Sequence, residues 1–167
     1  PAHWPDRTSE GITMYQSILV PIDGSPTADL GLAEAIKLAR LCGARVRLMH
    51  VVDELSLAMA TGYGVTYTPD VMQVLEDAGA DLLRKAQEQV RAAGIPVDSV
   101  LGNNLKGSLR DQVLQQARDW PAELIVLGTH GRRGAQRLFF GSDAENILRN
   151  APVPVLLVRG PAPQATA

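Results

Sequence analysis

Five short apolar runs are spread along this chain, and every gap between them is long enough to hold a helix. The runs are Ile18-Leu19-Val20-Pro21-Ile22, Arg45 to Val52, Val97 to Leu101, Glu123 to Leu127 and Val153 to Val158. Parallel strands need a crossover of a dozen or more residues, whereas an antiparallel hairpin needs about two. The spacing therefore predicts an α/β domain, with a parallel sheet and helices on both faces. The gaps carry helix signals of their own. Ser25 can cap a helix with Pro26 at its first position, and Gly43 can close it. Ala28, Leu32, Ala35 and Ala39 then share one face. Thr68-Pro69 opens a long helix that Gly94 ends, with Val71, Leu75, Ala78, Leu82 and Val90 as its buried face. Ser108 caps a third helix containing Leu109, Val113, Leu114 and Ala117. A fourth runs from Asp143 to Asn150. Right-handed crossovers make a single doubly wound five-stranded sheet, of order 3-2-1-4-5, the expected topology.

In that order strands 1 and 4 are neighbours, and their C-terminal ends open the crevice where such sheets bind ligands. Asp23-Gly24-Ser25 leaves strand 1 there. Gly128-Thr129-His130-Gly131 leaves strand 4, and after nine more residues Gly141-Ser142 starts the last helix. A strand, a glycine loop and a helix start can point backbone N–H groups at a phosphate. Side chains in place of the glycines would block the anion.

Each residue here has a plainer reading beside the functional one. Ser142-Asp143-Ala144-Glu145 reads as a capping box, in which Ser142 takes the Glu145 N–H and the Glu145 carboxylate reaches back. That alone would start a helix, and it would also take an amide away from a phosphate. Asp143 suits the helix dipole but repels a polyphosphate unless Mg²⁺ intervenes. Arg132, Arg133 and Arg137 are either solvated charges or a phosphate clamp. Asp23 can orient its own turn, or accept from an adenine amino group or a ribose hydroxyl. His130 is read as a loop histidine and His50 as a core or second-layer residue.

Composition narrows the field. At 167 residues the chain reads as one domain over 14–160, with a disordered arm at 1–13 and a flexible tail at 161–167. A net charge of -2 and 4% aromatic residues predict no nucleic-acid partner. The lone Cys42 fits a reducing compartment. No apolar run approaches the roughly 20 residues that cross a bilayer. Together these predict a cytoplasmic protein with no membrane partner. The three histidines and Cys42 lack metal-ligand spacing. There is no G-x-x-x-x-G-K-[ST] loop, no G-x-G-x-x-G after the first strand and no G-x-S-x-G elbow. The chain thus carries phosphate-site signals without an assigned catalytic residue. It reads as a nucleotide-responsive regulatory module. Two alternatives stay open: a slow ATPase or nucleotide-dependent transferase using Asp143 with Mg²⁺ and His130, and a structural dimer that binds nothing.

Gly128-x2-Gly131-x9-Gly141-Ser142 resembles the ATP-binding signature of the universal stress protein family. The likeness runs from Tyr15 to Arg159. Ile18-Leu19-Val20-Pro21-Ile22-Asp23-Gly24-Ser25 is similar to that family's first strand and adenine-side turn. His50-Val51-Val52-Asp53 and Pro152-Val153-Pro154-Val155-Leu156-Leu157-Val158 resemble its second and last strands. The resemblance implies an adenine nucleotide alpha-hydrolase-like fold and a role in the stress response, acting on a protein partner that it does not specify. It also implies a homodimer paired through Val153–Val158, and ATP, or ADP or AMP, with Mg²⁺ in the crevice. By position, Asp23 and Val51 would face adenine and ribose, and Pro21 and Ile22 would line the pocket. Gly128, Gly131, Gly141 and Ser142 would hold phosphates, with Thr129, His130 and Arg132 lining the loop. Asp143 departs from the pattern, since many nucleotide-binding members carry an apolar residue such as valine there.

Overall fold

A strand buried on both faces of a parallel sheet must be apolar almost throughout. In the computed structural model, β1 (Ser17–Pro21) is buried along its whole length, and so are the first four residues of β4 (Leu124–Gly128). The described residues are 14–52, 69–103, 107–129 and 142–160, so the arm and tail expected at 1–13 and 161–167 lie outside them. β2 (Arg45–Val52) pairs with β1, β3 (Val97–Asn103) with β2, and β5 (Val155–Val158) with β4. All pairs are parallel and the order is β3-β2-β1-β4-β5, the doubly wound order that the spacing predicts.

Among the described residues, four helices lie between the strands in sequence: α1 (Pro26–Cys42), α2 (Pro69–Ala92), α3 (Leu109–Asp119) and α4 (Ser142–Asn150). Alternate strand residues point to opposite faces, so the sheet separates two cores. Ile18, Val20, Val46, Leu48 and Val126 pack with Leu32, Ala35 and Ala39 of α1 and Leu83, Ala86 and Val90 of α2. On the other face Leu19, Met49, Val51, Ile125 and Leu127 pack with Val113, Leu114 and Ala117 of α3 and Ile147 of α4. Ser25 Oγ accepts the Ala28 N–H at 3.2 Å and so caps α1 as expected. Such a cap is worth about 1 kcal/mol. At the opposite end of β2, the Arg45 and Arg47 guanidiniums lie 4.7 and 4.8 Å from the Trp120 ring centroid. Arg47 also donates to both oxygens of Asp98, tying β2, β3 and the end of α3 together.

Some boundaries differ from the sequence reading, each for a local reason. β3 continues past Leu101, because Gly102 and Asn103 still pair with Val51 and Val52 although the apolar pattern has ended. β4 is shifted by one residue, to Leu124–Gly128. β5 starts at Val155 and not at Val153. Pro154 has no N–H to give, although its carbonyl accepts the Ile125 N–H at 3.0 Å. On α2, Ala78 is exposed and the buried stripe is Gly79, Leu83, Ala86 and Val90. At Gly79 a Cβ would lie 2.8 Å from Leu101 Cδ1 and 2.9 Å from His50 Cδ2, so α2 packs tightly on these side chains there.

Candidate functional site

Strands β1 and β4 part early. Their paired residues among those described are Ile18↔Leu124 and Leu19↔Ile125. Beyond these, β1 runs on to Ile22 and Asp23 while β4 runs on to Gly128 and Thr129. Continuing the register places Asp23 level with Thr129. This is the switch point of the sheet, where the connection from β1 turns to one side and that from β4 to the other.

One wall is the turn Asp23-Gly24-Ser25. Gly24 has φ +75°, a backbone conformation that side chains disfavour. Asp23 Oδ1 accepts the Ser25 N–H at 2.9 Å, so one carboxylate oxygen orients the turn. Ser25 then caps α1 and its hydroxyl lies 3.3 Å from that of Thr27. Pro21, Ile22 and Val51 are all buried, and Val51 packs in the second core beside Leu19 and Met49. Ile22 belongs to the first core, so it and Val51 lie on opposite faces of the sheet.

The other wall is Gly128 and Thr129. A Cβ on Gly128 would lie 2.6 Å from the Thr27 carbonyl carbon and oxygen and 2.9 Å from the Ala28 nitrogen. A Cβ on Gly31 would lie 3.3 Å from the Gly128 nitrogen. The first turns of α1 therefore rest on β4 backbone to backbone. Thr129 is buried and its N–H donates to Val158 O at 3.0 Å.

The helix that follows the glycine loop departs from expectation at its start. Ser142 is already the first residue of α4, one place too late to be its cap. The reciprocal capping box is not formed, because Glu145 Oε1 accepts from Arg149 Nη2 at 3.0 Å, one turn further on. An i,i+4 arginine offers the carboxylate a charged partner. Glu145 therefore does not occupy the Ser142 amide. Asp143 and Glu145 put negative charge in the first turn, and Ile147, 1% exposed, anchors the helix to the core. His130, Gly131, Arg132 and Gly141 lie outside the described residues, as do Arg133 and Arg137. Among the described residues, no group of three or more His, Cys, Asp or Glu side chains is placed to hold a metal ion. Nor is any helix among them long and apolar enough to cross a membrane.

Sequence reasoning missed several residues at this edge of the sheet. Thr27, Ala28 and Gly31 form the contact with Gly128. Gly31 was open to suspicion, since glycine inside a helix costs about 1 kcal/mol relative to alanine. Gln112 is another. Its Nε2 donates to Asn103 O at 2.8 Å and Gly107 O at 2.7 Å, tying α3 to the end of β3 and to the residue before the Ser108 cap. Ser108 caps α3 by accepting the Asp111 N–H, and donates to the Asp111 carboxylate. That bond holds the Asp111 carboxyl below its ordinary range.

Residues 14–159 match the profile of the universal stress protein family. The chain belongs to that family. A universal stress protein A homolog of Coxiella burnetii is 33% identical over 87% of this chain and 95% of its own length. Among solved structures, a universal stress protein family member from Burkholderia pseudomallei is 30% identical, with a TM-score of 0.67 over 87% of this chain and 96% of that one. The universal stress protein of Archaeoglobus fulgidus in complex with dAMP is 25% identical, with a TM-score of 0.61 over 87% of this chain and 98% of that one.

The Gly128 contact sets a test within this universal stress protein. Gly128→Ala should cost about 1–3 kcal/mol, because the clash is with backbone that cannot rotate away. Urea unfolding reads the change, and a loss below about 0.5 kcal/mol, the usual effect of a harmless surface substitution, would contradict the contact.

Proposed function

We propose that this universal stress protein binds an adenine nucleotide in the crevice between the C-terminal ends of β1 and β4. ATP is the first candidate, with ADP or AMP as variants. The observation that carries this reading is the seating of Gly128 on Thr27 and Ala28. It puts the start of the glycine-punctuated loop directly at the switch point. The dAMP complex of the Archaeoglobus fulgidus relative supports an adenine nucleotide as the ligand class.

The roles follow from chemistry and position. Asp23 and Val51 meet the base or ribose, and Pro21 and Ile22 line the pocket. Gly128, Gly131, Gly141 and Ser142 supply backbone donors to the phosphates, and Thr129, His130 and Arg132 line the loop. Helix α4 adds the positive end of its dipole to that charge balance. Asp143 opposes it, and Mg²⁺ carried in with ATP would offset the carboxylate. This set is suited to holding a polyphosphate, and we assign it no catalytic residue.

We therefore read the protein as a nucleotide-responsive regulatory module and not as an enzyme. Binding would bias one arrangement of the loops over another, by as much as the two differ in affinity. A protein partner, or a second copy, would sense the difference. The compartment that suits a lone Cys42 is the cytoplasm. β5 ends the sheet with four half-buried apolar residues, Val155-Leu156-Leu157-Val158. An edge strand of this composition favours pairing with another chain, and we assign it to a homodimer.

Gly131→Val should abolish ATP binding by calorimetry while the circular dichroism spectrum is unchanged, because a branched side chain would fill the phosphate space. Undiminished ATP affinity in the folded variant would remove Gly131 from the site. Sedimentation velocity should give a dimer at micromolar concentration, and a monomer at the highest soluble concentration would reject the β5 interface.

A further inference from the structure

The ladder between β1 and β2 has Pro21↔Met49 as its last paired residues, and the Ile22 N–H still donates to Met49 O at 2.8 Å. The next acceptor on β1, the Ile22 carbonyl, is met by a side chain. His50 Nδ1 lies 2.8 Å from Ile22 O. A carbonyl oxygen only accepts, so Nδ1 must carry the proton. The imidazole thus stands where a strand amide would continue the ladder, and it holds the last β1 peptide before the Asp23 turn.

The ring has a seat of its own. His50 is half-buried on the face that α2 covers. A Cβ on Gly79 would come within 2.9 Å of His50 Cδ2 and 3.4 Å of Val52 Cγ2. Glycine at this point of α2 leaves the ring its room. Three separate parts of the chain, at Ile22, His50 and Gly79, therefore meet in one contact directly behind Asp23.

We propose that His50 is a positioning residue of the nucleotide site. Seated over Gly79, it fixes the Ile22 carbonyl and so sets the direction in which Asp23 leaves β1 to meet the base. The proposal rests on the nucleotide reading above. It assigns His50 to recognition of the base, not to binding of the phosphates, which lie at the β4 side of the crevice.

That division gives a readout which a merely structural role would not move. Calorimetry on the full chain would compare ATP, GTP and inorganic triphosphate. His50→Phe keeps a ring and removes the donor. It should weaken ATP about tenfold, bring ATP and GTP closer together, and leave triphosphate unchanged. His50→Asn places an amide nitrogen near the position of Nδ1 and should restore the preference for ATP. Gly79→Ala, which crowds the ring from α2, should act like His50→Phe and serves in its place if that variant does not fold. An unchanged ratio of ATP to triphosphate affinity in His50→Phe or Gly79→Ala would overturn the positioning role, and so would equal losses for both ligands. If the wild-type protein binds triphosphate but not ATP, or neither, the nucleotide reading itself fails and the role of His50 falls with it.

Discussion

The contact between Gly128 and the first turn of α1 is the constraint on which the rest of the crevice depends. Two backbones approach there more closely than any side chain would allow. The approach needs glycine at Gly128 on the strand and is helped by Gly31 on the helix. It fixes α1 over β4 although α1 follows β1 in sequence. α1 crosses to β2 on one face of the sheet, while α4, which follows β4, packs on the other. The two connections diverge at this point, and the gap between them is the candidate site.

Short local bonds hold several groups around the gap. Asp23 holds Ser25, Ser25 caps α1, His50 holds Ile22, and Gln112 links Asn103 to Gly107. Each bond is modest in net energy, about 1 kcal/mol, yet leaving a partner unpaired in a buried place costs more. The charge pattern at α4 works in two directions. Its dipole favours an anion, while Asp143 disfavours one, and Glu145 is partly neutralised by Arg149.

Much of this architecture is legible in the sequence because its causes are local. Apolar runs separated by helix-length gaps give parallel strands, and Ser25-Pro26 and Gly43 bracket α1 as read. The strand order follows from handedness. What could not be read depends on meetings between distant residues. Ala78 seemed as apt for the core as Gly79, and only the approach of α2 to His50 and Leu101 decides between them. The capping box at Ser142 satisfies every local rule, and it is lost because Arg149 competes for Glu145 and the helix starts one residue early. The start of β5 illustrates a third cause, since Val153 has strand character but the neighbouring Pro154 cannot donate to a ladder.

The central claim is that the crevice holds an adenine nucleotide. The most direct measurement is to denature freshly purified protein, identify any released nucleotide by chromatography, and titrate the refilled or nucleotide-free protein with ATP and Mg²⁺ by calorimetry. The account predicts an adenine nucleotide bound one to one with each chain, with no ADP or AMP accumulating on standing. Steady conversion of ATP would contradict the regulatory reading in favour of an enzyme. No released nucleotide and no binding heat would contradict the account as a whole.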